Sequence, residues 1–355
     1  MVKKKLMQLR EKQLQKKEAS ENAVVPRITN ENVAEHREEI LSGARKYIYP
    51  LQHSKHRIVV LTVSLVIATV LIFFSTTVFL LYRRQSSSAF LYQVTKVLPF
   101  PVARSGNTFI AYENYLFELR HYIHYYETQQ QLSFETEAGA DQLAAYKKRA
   151  LDDVVNLAYT KQIAEERGVS VTGNEVDEQI RIAREQKRFG SNEAIFEDVL
   201  RSYWNWSIND FRRSLSNELL VQKVTRSLDE ETEKKAGEAY AKLVAGADFA
   251  EVAKQYSDEE FSRDNGGEFG EVDPSNRNVS QQTVDTLLRL PVGQFSEVKV
   301  IPYETGYALE IVKNLEKTAT GAKGAHIIFR LKDLAATLND RKEQHPYRLY
   351  IKLPE

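Results

Sequence analysis

Residues 246–272 read GADFAEVAKQYSDEEFSRDNGGEFGEV, and the fold assignment depends on this stretch. Apolar residues of its first half recur at helical spacing, which predicts a short amphipathic helix. These residues are Phe249, Val252, Ala253 and Tyr256. The helix should end before Ser257-Asp258, and a charged loop then leads to Gly266 and Gly267. A glycine pair permits positive φ or a close backbone approach, so we expect a tight structure there, followed by a strand.

The pattern GADF-x-x-x-A-x-x-YSD followed by NGG-[DE]-[LF]-G resembles the parvulin (PpiC-type) peptidyl-prolyl isomerase domain. The resemblance implies an antiparallel sheet with helices and isomerisation of X-Pro bonds. Such a reaction must lower a rotation barrier of ~18–20 kcal/mol, and it needs neither a covalent step nor a metal. We therefore expect no cofactor and no small-molecule substrate.

The resemblance also implies a set of site residues. Parvulins carry two histidines on adjacent central strands, beside a Cys or Asp that follows YSD, and an apolar pocket that holds the proline ring. The implied catalytic residues are His326, Glu259 and Asp258. The implied substrate-binding residues are Phe269, Val279, Thr283, Leu288, Gly266 and Gly267.

The sequence departs from the parvulin pattern at several of these positions. Ala308 stands where the second histidine is expected, and Thr283 stands where the pocket usually has Phe. Glu259 follows Ser257-Asp258 and keeps a carboxylate there. His326 has two interpretations that stay open: the remaining parvulin histidine, or a core histidine that a neighbour's hydroxyl satisfies. These departures weaken the expectation of efficient catalysis.

The first parvulin strand is missing from its usual place. Residues 225–235 read TRSLDEETEKK, which is typical of a helix, whereas residues 324–330 read GAHIIFR and resemble that strand. One hypothesis is a circularly permuted sheet whose first strand comes from residues 324–331. The alternative is the truncated start of a second repeat. We favour permutation, because otherwise the sheet would carry an unpaired position. Residues 332–353 have no predicted role beyond extending this sheet.

Residues 100–228 are predicted to form a helical domain that begins with a hairpin around Ser105-Gly106-Asn107 and continues with five helices. Gly168 should end the second of these helices, and Ser207 should start the fifth. Ser170-Val171-Thr172, Glu175-Val176 and LLVQK at residues 219–223 resemble the N-terminal chaperone domain of the SurA family. Membrane-anchored foldases of the PrsA kind combine it with a parvulin domain. His121 and His124 share a helix, but no third ligand has suitable spacing, so a packing face is predicted and not a metal site.

The N-terminal part differs in composition from the rest. Residues 1–57 hold 13 Lys/Arg against 7 Asp/Glu and are predicted to be a mostly disordered cytoplasmic segment, whereas residues 85–355 hold 34 against 42. Such an acidic excess argues against binding of nucleic acid. Residues 58–81 contain no charged residue and are predicted to form one transmembrane helix. Residues 82–99 are predicted to be a linker. The more basic flank precedes the span, which places the N-terminus in the cytoplasm.

The overall prediction is an α+β protein with one transmembrane helix, a helical chaperone domain over residues 100–228 and a parvulin-like domain over residues 229–355. It should be a single-pass protein of a bacterial cell membrane with both domains outside the cytoplasm. Its predicted partners are unfolded or extended polypeptides and the membrane. The expected function is that of a foldase that isomerises X-Pro bonds, and the alternative is a holdase chaperone without enzymatic activity.

Overall fold

The computed structural model describes residues 29–48, 50–185 and 192–353. The chain divides into two units, Met1–Thr76 and Thr77–Glu355. In the first unit, helix α1 spans Asn30–Ile48 and helix α2 begins at Pro50. The predicted disorder is therefore wrong for residues 30–48, where Ala, Glu and Leu favour a helix. Residues 1–28 lie outside the described residues.

Helix α2 spans Pro50–Val78 and continues into a single π-helical turn at Phe79–Arg83. The segment His56–Arg83, which includes most of α2 and this turn, covers 28 residues with a mean hydropathy of 2.8. At about 1.5 Å rise per residue, this segment is longer than the ~30 Å of a bilayer's hydrocarbon core. By length and composition it is long and apolar enough to cross a membrane.

The predicted linker at residues 82–99 belongs to the packed core of the second unit. Helix α3, Ala89–Val97, lies within it, and Leu91 on this helix is buried. The Tyr112 hydroxyl donates a hydrogen bond of 2.6 Å to the Leu81 carbonyl, and Tyr82 donates one of 2.7 Å to Pro101. Apolar side chains in this segment give it a face to bury, so it packs instead of acting as a free spacer.

The helical domain is built on a hairpin and five helices, as the sequence predicts. Strands β1 and β2 pair with Ser105 opposite Thr108, across the expected turn at Gly106-Asn107. The elements are β1 (Pro101–Ser105), β2 (Thr108–Ala111), α4 (Tyr112–Gln129), α5 (Glu137–Arg167), α6 (Gly173–Glu185), α7 (Glu193–Trp204) and α8 (Ile208–Leu228). Gly168 ends α5 with φ +65°, and Ser207 with Asp210 forms a capping box that starts α8.

The core of the helical domain comes mainly from the inner faces of α4 and α5. Tyr112, Tyr115 and Leu119 of α4 pack with Val154 and Tyr159 of α5, and all are buried. His121 stacks on Trp206 with ring centroids 4.6 Å apart, and His124 Nε2 lies 2.9 Å from the Ser202 carbonyl oxygen. Both histidines therefore take part in packing contacts between α4 and the end of α7.

The second domain is a four-stranded antiparallel sheet with helices on both faces. Its strand order is β3-β6-β5-β4. The elements are α9 (Glu230–Val244), α10 (Phe249–Tyr256), α11 (Glu260–Arg263), β3 (Glu268–Val272), α12 (Gln281–Arg289), β4 (Lys299–Tyr303), β5 (Gly306–Lys317) and β6 (Ala322–Arg330). The short helix α10 and strand β3 lie where the opening motif predicts them.

Strand β6 is last in the chain order of this sheet but lies inside it. Ala308 pairs with Arg330 and Val312 with His326, in the antiparallel register that the permutation hypothesis requires. On its other side, β6 pairs with β3, for example Glu268 with Ala325. Both edges of β6 are thus hydrogen-bonded, which is consistent with its almost continuous burial.

The chain after β6 leaves the sheet domain and returns to the helical domain. Helix α13, Leu334–Gln344, buries Leu338, and strand β7, Tyr347–Leu349, pairs with β1. Ile351 is also buried in the helical core. The expectation that residues 332–353 extend the parvulin sheet is therefore wrong. Their apolar side chains complete a different core, and the helical domain is formed from both ends of the second unit.

Candidate functional site

The centre of the candidate site is His326 on β6. Side chains alternate across a strand, so His326 and Ile328 lie on one face while Ile327 lies on the other. His326 is 3% exposed. Its Nδ1 lies 2.8 Å from Glu310 Oε1, and its Nε2 lies 2.6 Å from Glu259 Oε2. Both ring nitrogens are thus bonded to carboxyl groups.

Glu310 is a buried carboxyl group in the interior strand β5, with 2% of its surface exposed. Its second oxygen, Oε2, accepts a hydrogen bond of 2.8 Å from the Thr283 hydroxyl on α12. The Ser280 hydroxyl, which caps this helix, lies 2.7 Å from the Thr283 hydroxyl. Glu310 therefore has a partner on each oxygen, as a buried carboxyl group requires.

Glu259 is placed by the loop that follows α10. The Asp258 amide donates to the Ile328 carbonyl at 2.7 Å, and the Ile328 amide donates to the Ser257 hydroxyl at 3.2 Å. These two bonds hold the loop against β6, two residues from His326. Glu259 is half-buried, and it also accepts hydrogen bonds from the Ser262 hydroxyl and, at 3.2 Å, from the Tyr303 hydroxyl.

The two carboxyl groups determine the charge of the imidazole. Burial alone would lower the pKa of His326, but the hydrogen bonds to Glu259 and Glu310 outweigh it and raise the pKa to about 9. For Glu259, burial alone would raise the pKa, but the hydrogen bonds with His326, Ser262 and Tyr303 outweigh it and lower the pKa to about 2. At neutral pH, His326 is therefore an imidazolium that donates from both nitrogens.

The glycine pair allows the loop to approach β6 closely. Gly267 has φ +87°, and a Cβ there would lie 2.4 Å from the His326 carbonyl oxygen. The Gly267 carbonyl accepts a hydrogen bond of 2.9 Å from the His326 amide. Gly266 has φ +70°, and a Cβ there would lie 2.7 Å from the Ala250 Cβ on α10. The close approach predicted from the sequence thus occurs beside the site histidine.

An apolar wall lies next to this polar cluster. The Phe269 ring lies 4.6 Å from the His326 ring, measured between centroids. Phe269, Val279 and Leu288 are all half-buried and pack against one cluster on this face. That cluster contains Val272, Val284, Leu287, Val312 and Ala322. The structure therefore brings three of the predicted substrate-binding residues together in one apolar cluster, and Phe269 joins this cluster to His326.

Three other positions from the sequence analysis have different surroundings. Thr283 is 1% exposed, and its hydroxyl is bonded to Glu310. Asp258 pairs with Lys235 at 2.6 Å and accepts from the Arg330 amide at 2.9 Å, so it fixes the end of β6. Ala308 is buried against Ile301 and Ile328. The structure thus joins Thr283 to the His326 cluster through Glu310, and it gives Asp258 separate partners.

Two family models match the chain in succession. The model described as SurA-like N-terminal domain matches residues 50–225, and that described as PPIC-type PPIASE domain matches residues 219–316. The chain is a SurA/PrsA-like protein. The second match ends at residue 316, before β6 begins. The strand that carries His326 therefore lies outside the segment that matches the PPIC-type model.

Proteins similar to this SurA/PrsA-like protein include foldases named PrsA and chaperones named SurA. Foldase protein PrsA of Caldanaerobacter subterraneus is 26% identical over 187 residues, which cover 47% of this chain and 56% of that protein. Foldase protein PrsA of Geobacillus sp. is 39% identical over 24% of this chain and 29% of that protein. Chaperone SurA of Pseudomonas fluorescens is 33% identical over 26% of this chain and 20% of that protein. The chain thus spans about half the length of the first of these relatives.

A solved structure of PrsA from Streptococcus pneumoniae is 20% identical and covers 59% of this chain and 79% of its own, with a TM-score of 0.19.

Sequence reasoning missed Glu310 and Tyr303, and also the hydroxyl groups of Ser262 and Ser280. Glu310 interrupts the apolar run GYALEIV of an interior strand, and a charged side chain is almost never buried there without a partner. A charged residue inside such an apolar run could therefore have been predicted to have a buried partner. Tyr303 lies on the edge strand β4, and nothing in the local sequence distinguishes it from a packing residue.

Proposed function

We propose that this SurA/PrsA-like protein is a membrane-anchored foldase that binds unfolded secreted polypeptides outside the cytoplasm and isomerises their X-Pro bonds. The single observation that carries the isomerase proposal is the contact between the apolar wall and the polar cluster, 4.6 Å between the rings of Phe269 and His326. A proline ring gripped by the wall would place its amide bond beside charged groups. The family membership supports the foldase or chaperone role.

The proposed mechanism uses binding and electrostatics alone. A planar amide carries partial negative charge on its oxygen, and a twisted amide has lost much of this resonance. Glu259, the more exposed carboxyl group of the cluster, would disfavour the planar state if the amide oxygen lay near it. The apolar wall of Phe269, Val279 and Leu288 would hold the proline ring while the bond rotates. Only interactions that are stronger in the twisted state accelerate the reaction.

The membrane anchor in this proposal is the apolar segment His56–Arg83. Four Lys/Arg stand in residues 45–57, whereas Arg83 and Arg84 are the two that follow closely. The positive-inside rule then places the N-terminus in the cytoplasm and the two domains outside. A cysteine introduced at an exposed site of the helical domain should react with an impermeant thiol reagent in intact cells, since the chain has no other cysteine.

We also propose that the sheet domain is a circularly permuted parvulin domain. Strand β6 occupies an interior position between β3 and β5, and a hairpin at residues 318–321 connects it to β5. A truncated second repeat would not require this position. Glu316 and Lys323 are paired across the hairpin, so Glu316→Cys with Lys323→Cys should form a disulfide without loss of the folded sheet. Failure to cross-link would contradict the permuted arrangement.

Isomerisation should be measured with the full chain in lipid nanodiscs and an X-Pro peptide, in an assay without protease. His326→Ala and Glu259→Gln should each lower kcat/KM at least tenfold. Glu304→Gln is the matched control, because this exposed carboxylate lies in the same domain and pairs with Arg330. Catalysis that is equal in all four proteins would overturn the assignment of the site.

A second candidate is a holdase chaperone without isomerase activity. The observation that favours it is the inward hydroxyl of Thr283, bonded to Glu310 where the parvulin pattern places an apolar Phe. A smaller and more polar pocket would grip proline less tightly. Suppression of client aggregation by a chain that does not accelerate X-Pro isomerisation would establish this candidate. Loss of both properties would contradict both proposals.

A further inference from the structure

We propose that Glu310 is a positioning residue that takes over the part of the missing second histidine, with Thr283 as its obligatory partner. The two departures from the parvulin pattern, at residues 308 and 283, are then one coupled change. The consequence for catalysis rests on the proposed isomerase function. The positioning of His326 by Glu310 does not rest on it, because it can be observed directly.

The register of β5 and β6 explains why Glu310 can do this. Ala308, Glu310 and Val312 lie on one face of β5, and Val312 is paired with His326. Glu310 is paired with Ile328 and therefore stands diagonally across from the imidazole. The methyl group of Ala308 offers no hydrogen bond and packs against Ile301 and Ile328. A carboxyl group two residues further along reaches Nδ1 at 2.8 Å.

The hydroxyl of Thr283 is needed once Glu310 is buried. Each oxygen of a buried carboxyl group requires a donor, and Nδ1 of His326 supplies only one. Thr283 donates the second at 2.8 Å to Oε2, whereas a Phe at this position has no donor. The hydroxyl has a single proton, so the Ser280 hydroxyl must be the donor in its 2.7 Å contact with Thr283 Oγ1. The bonds from Ser280 and Thr283 thus run to Glu310, which accepts from the Thr283 hydroxyl on one oxygen and from His326 Nδ1 on the other.

The result is an imidazole fixed at both nitrogens. Rotation of the ring about χ2 would break the bonds to Glu259 and Glu310 together. The charged or titratable groups around the ring come from three elements: Glu259 from the loop after α10, Glu310 from β5 and Tyr303 from β4 through Glu259. Lys299 on β4 is an additional titratable group near the cluster: burial lowers its pKa, and the charge of Glu310 opposes this effect. Ser262, Thr283 and Phe269 are the neutral groups that contact this cluster.

The test is NMR titration of the full chain in nanodiscs with ¹⁵N-histidine, with the His326 signals assigned by comparison with His326→Gln. In the unaltered protein, both ring nitrogens should carry protons at pH 7.5, and the pKa should be about 9. Glu310→Gln should move the pKa of His326 toward the ordinary value of 6.5. Thr283→Val should lower it less, while Thr283→Ser keeps the hydroxyl and should leave it unchanged. Glu304→Gln is the control that should have no effect.

Two results would overturn the proposal. The first is a His326 that titrates near its ordinary pKa in the unaltered protein. The second is a pKa of His326 that Glu310→Gln and Thr283→Val both leave unchanged. If Glu310→Gln does not fold, as circular dichroism would show, the comparison of Thr283→Val with Thr283→Ser decides the question. None of these results depends on catalysis, so an inactive protein would contradict the isomerase function and leave the positioning role testable.

An activity measurement adds the catalytic part where isomerisation is present. Glu310→Gln should shift the alkaline limb of the pH–rate profile to lower pH, in parallel with the titration of His326. A substitution that only loosened the fold would lower the rate at every pH and leave this limb in place. Combining Glu310→Leu with Thr283→Phe and Ala308→His should recover at least part of the activity that Glu310→Leu alone removes.

Discussion

The carboxyl group of Asp229 accepts a hydrogen bond of 3.0 Å from the backbone amide of Lys332, which follows it by 103 residues. Asp229 stands between α8 and α9, where the chain enters the sheet domain, and Lys332 stands where it returns. Asp229 also caps α9 through the Thr232 amide at 3.2 Å. One buried carboxyl group thus joins the two connections between the helical domain and the sheet domain.

Asp229→Ala should lower the free energy of unfolding by about 2–4 kcal/mol. It removes a helix cap, worth about 1 kcal/mol, and leaves the Lys332 amide without its acceptor, at a further 1–3 kcal/mol. Urea unfolding followed by circular dichroism measures this. Asp333→Ala is the matched control, because Asp333 caps α13 at 2.8 Å in an exposed position. Equal costs for both substitutions would show that the bond to Lys332 adds nothing.

Gly267→Ala should destabilise the protein more than Gly270→Ala. Both glycines have positive φ, +87° and +92°, where an L-residue costs roughly 1–2 kcal/mol. At Gly270 an added Cβ meets open space, whereas at Gly267 it would lie 2.4 Å from the His326 carbonyl oxygen. The difference between the two melting temperatures therefore isolates the steric contact. Identical shifts would mean that the loop moves away from β6 at little cost.

Two graded C-terminal truncations should affect different domains. Deleting residues 332–355 removes β7, Leu338 and Ile351 from the helical core and leaves β6 in its sheet. Deleting residues 324–355 removes most of β6 as well and should unfold the sheet domain. Trp204 and Trp206 both lie in the helical domain, so tryptophan fluorescence reports its loss, while circular dichroism follows the whole chain. An unchanged melt of the longer deletion would contradict the interior position of β6.

The free energy of unfolding should fall between about pH 6.5 and pH 9. The pKa of His326 is raised from 6.5 to about 9 in the folded protein, so the stabilisation is complete below 6.5 and is lost as the pH rises through 9. The full effect is on the order of 3 kcal/mol. The pKa of Glu259 is lowered to about 2, so its stabilisation is present above about 4.5 and is lost as the pH falls toward 2.

This pH dependence should be measured by urea unfolding at a series of pH values. His326→Gln is the control, since it removes the titrating group and should flatten the curve between pH 6.5 and pH 9. A decline of the same size in that variant would assign the effect to other groups.

The local elements of this protein were predictable from its sequence. Backbone sterics and hydrogen bonds between nearby residues determine such local elements. Examples are the helix in residues 246–256, the glycine pair that follows it, and the helix caps at Gly168 and Ser207. The apolar segment at residues 58–81 is likewise a property of composition. The pairing of β6 with β5 was also predictable, because a hairpin between neighbouring segments is a local connection.

The site and the domain boundaries were decided by tertiary structure. Glu310 partners His326 only because the register of two strands brings them together, and Thr283 turns toward Glu310 because a buried carboxyl group must be satisfied. Residues 334–351 join the helical domain, because β7 pairs with the second edge of β1 and Leu338 and Ile351 pack into the helical core. These contacts join residues that are far apart in the sequence. Hydrophobic periodicity predicts single helices and strands, but it does not predict which of them pack against one another.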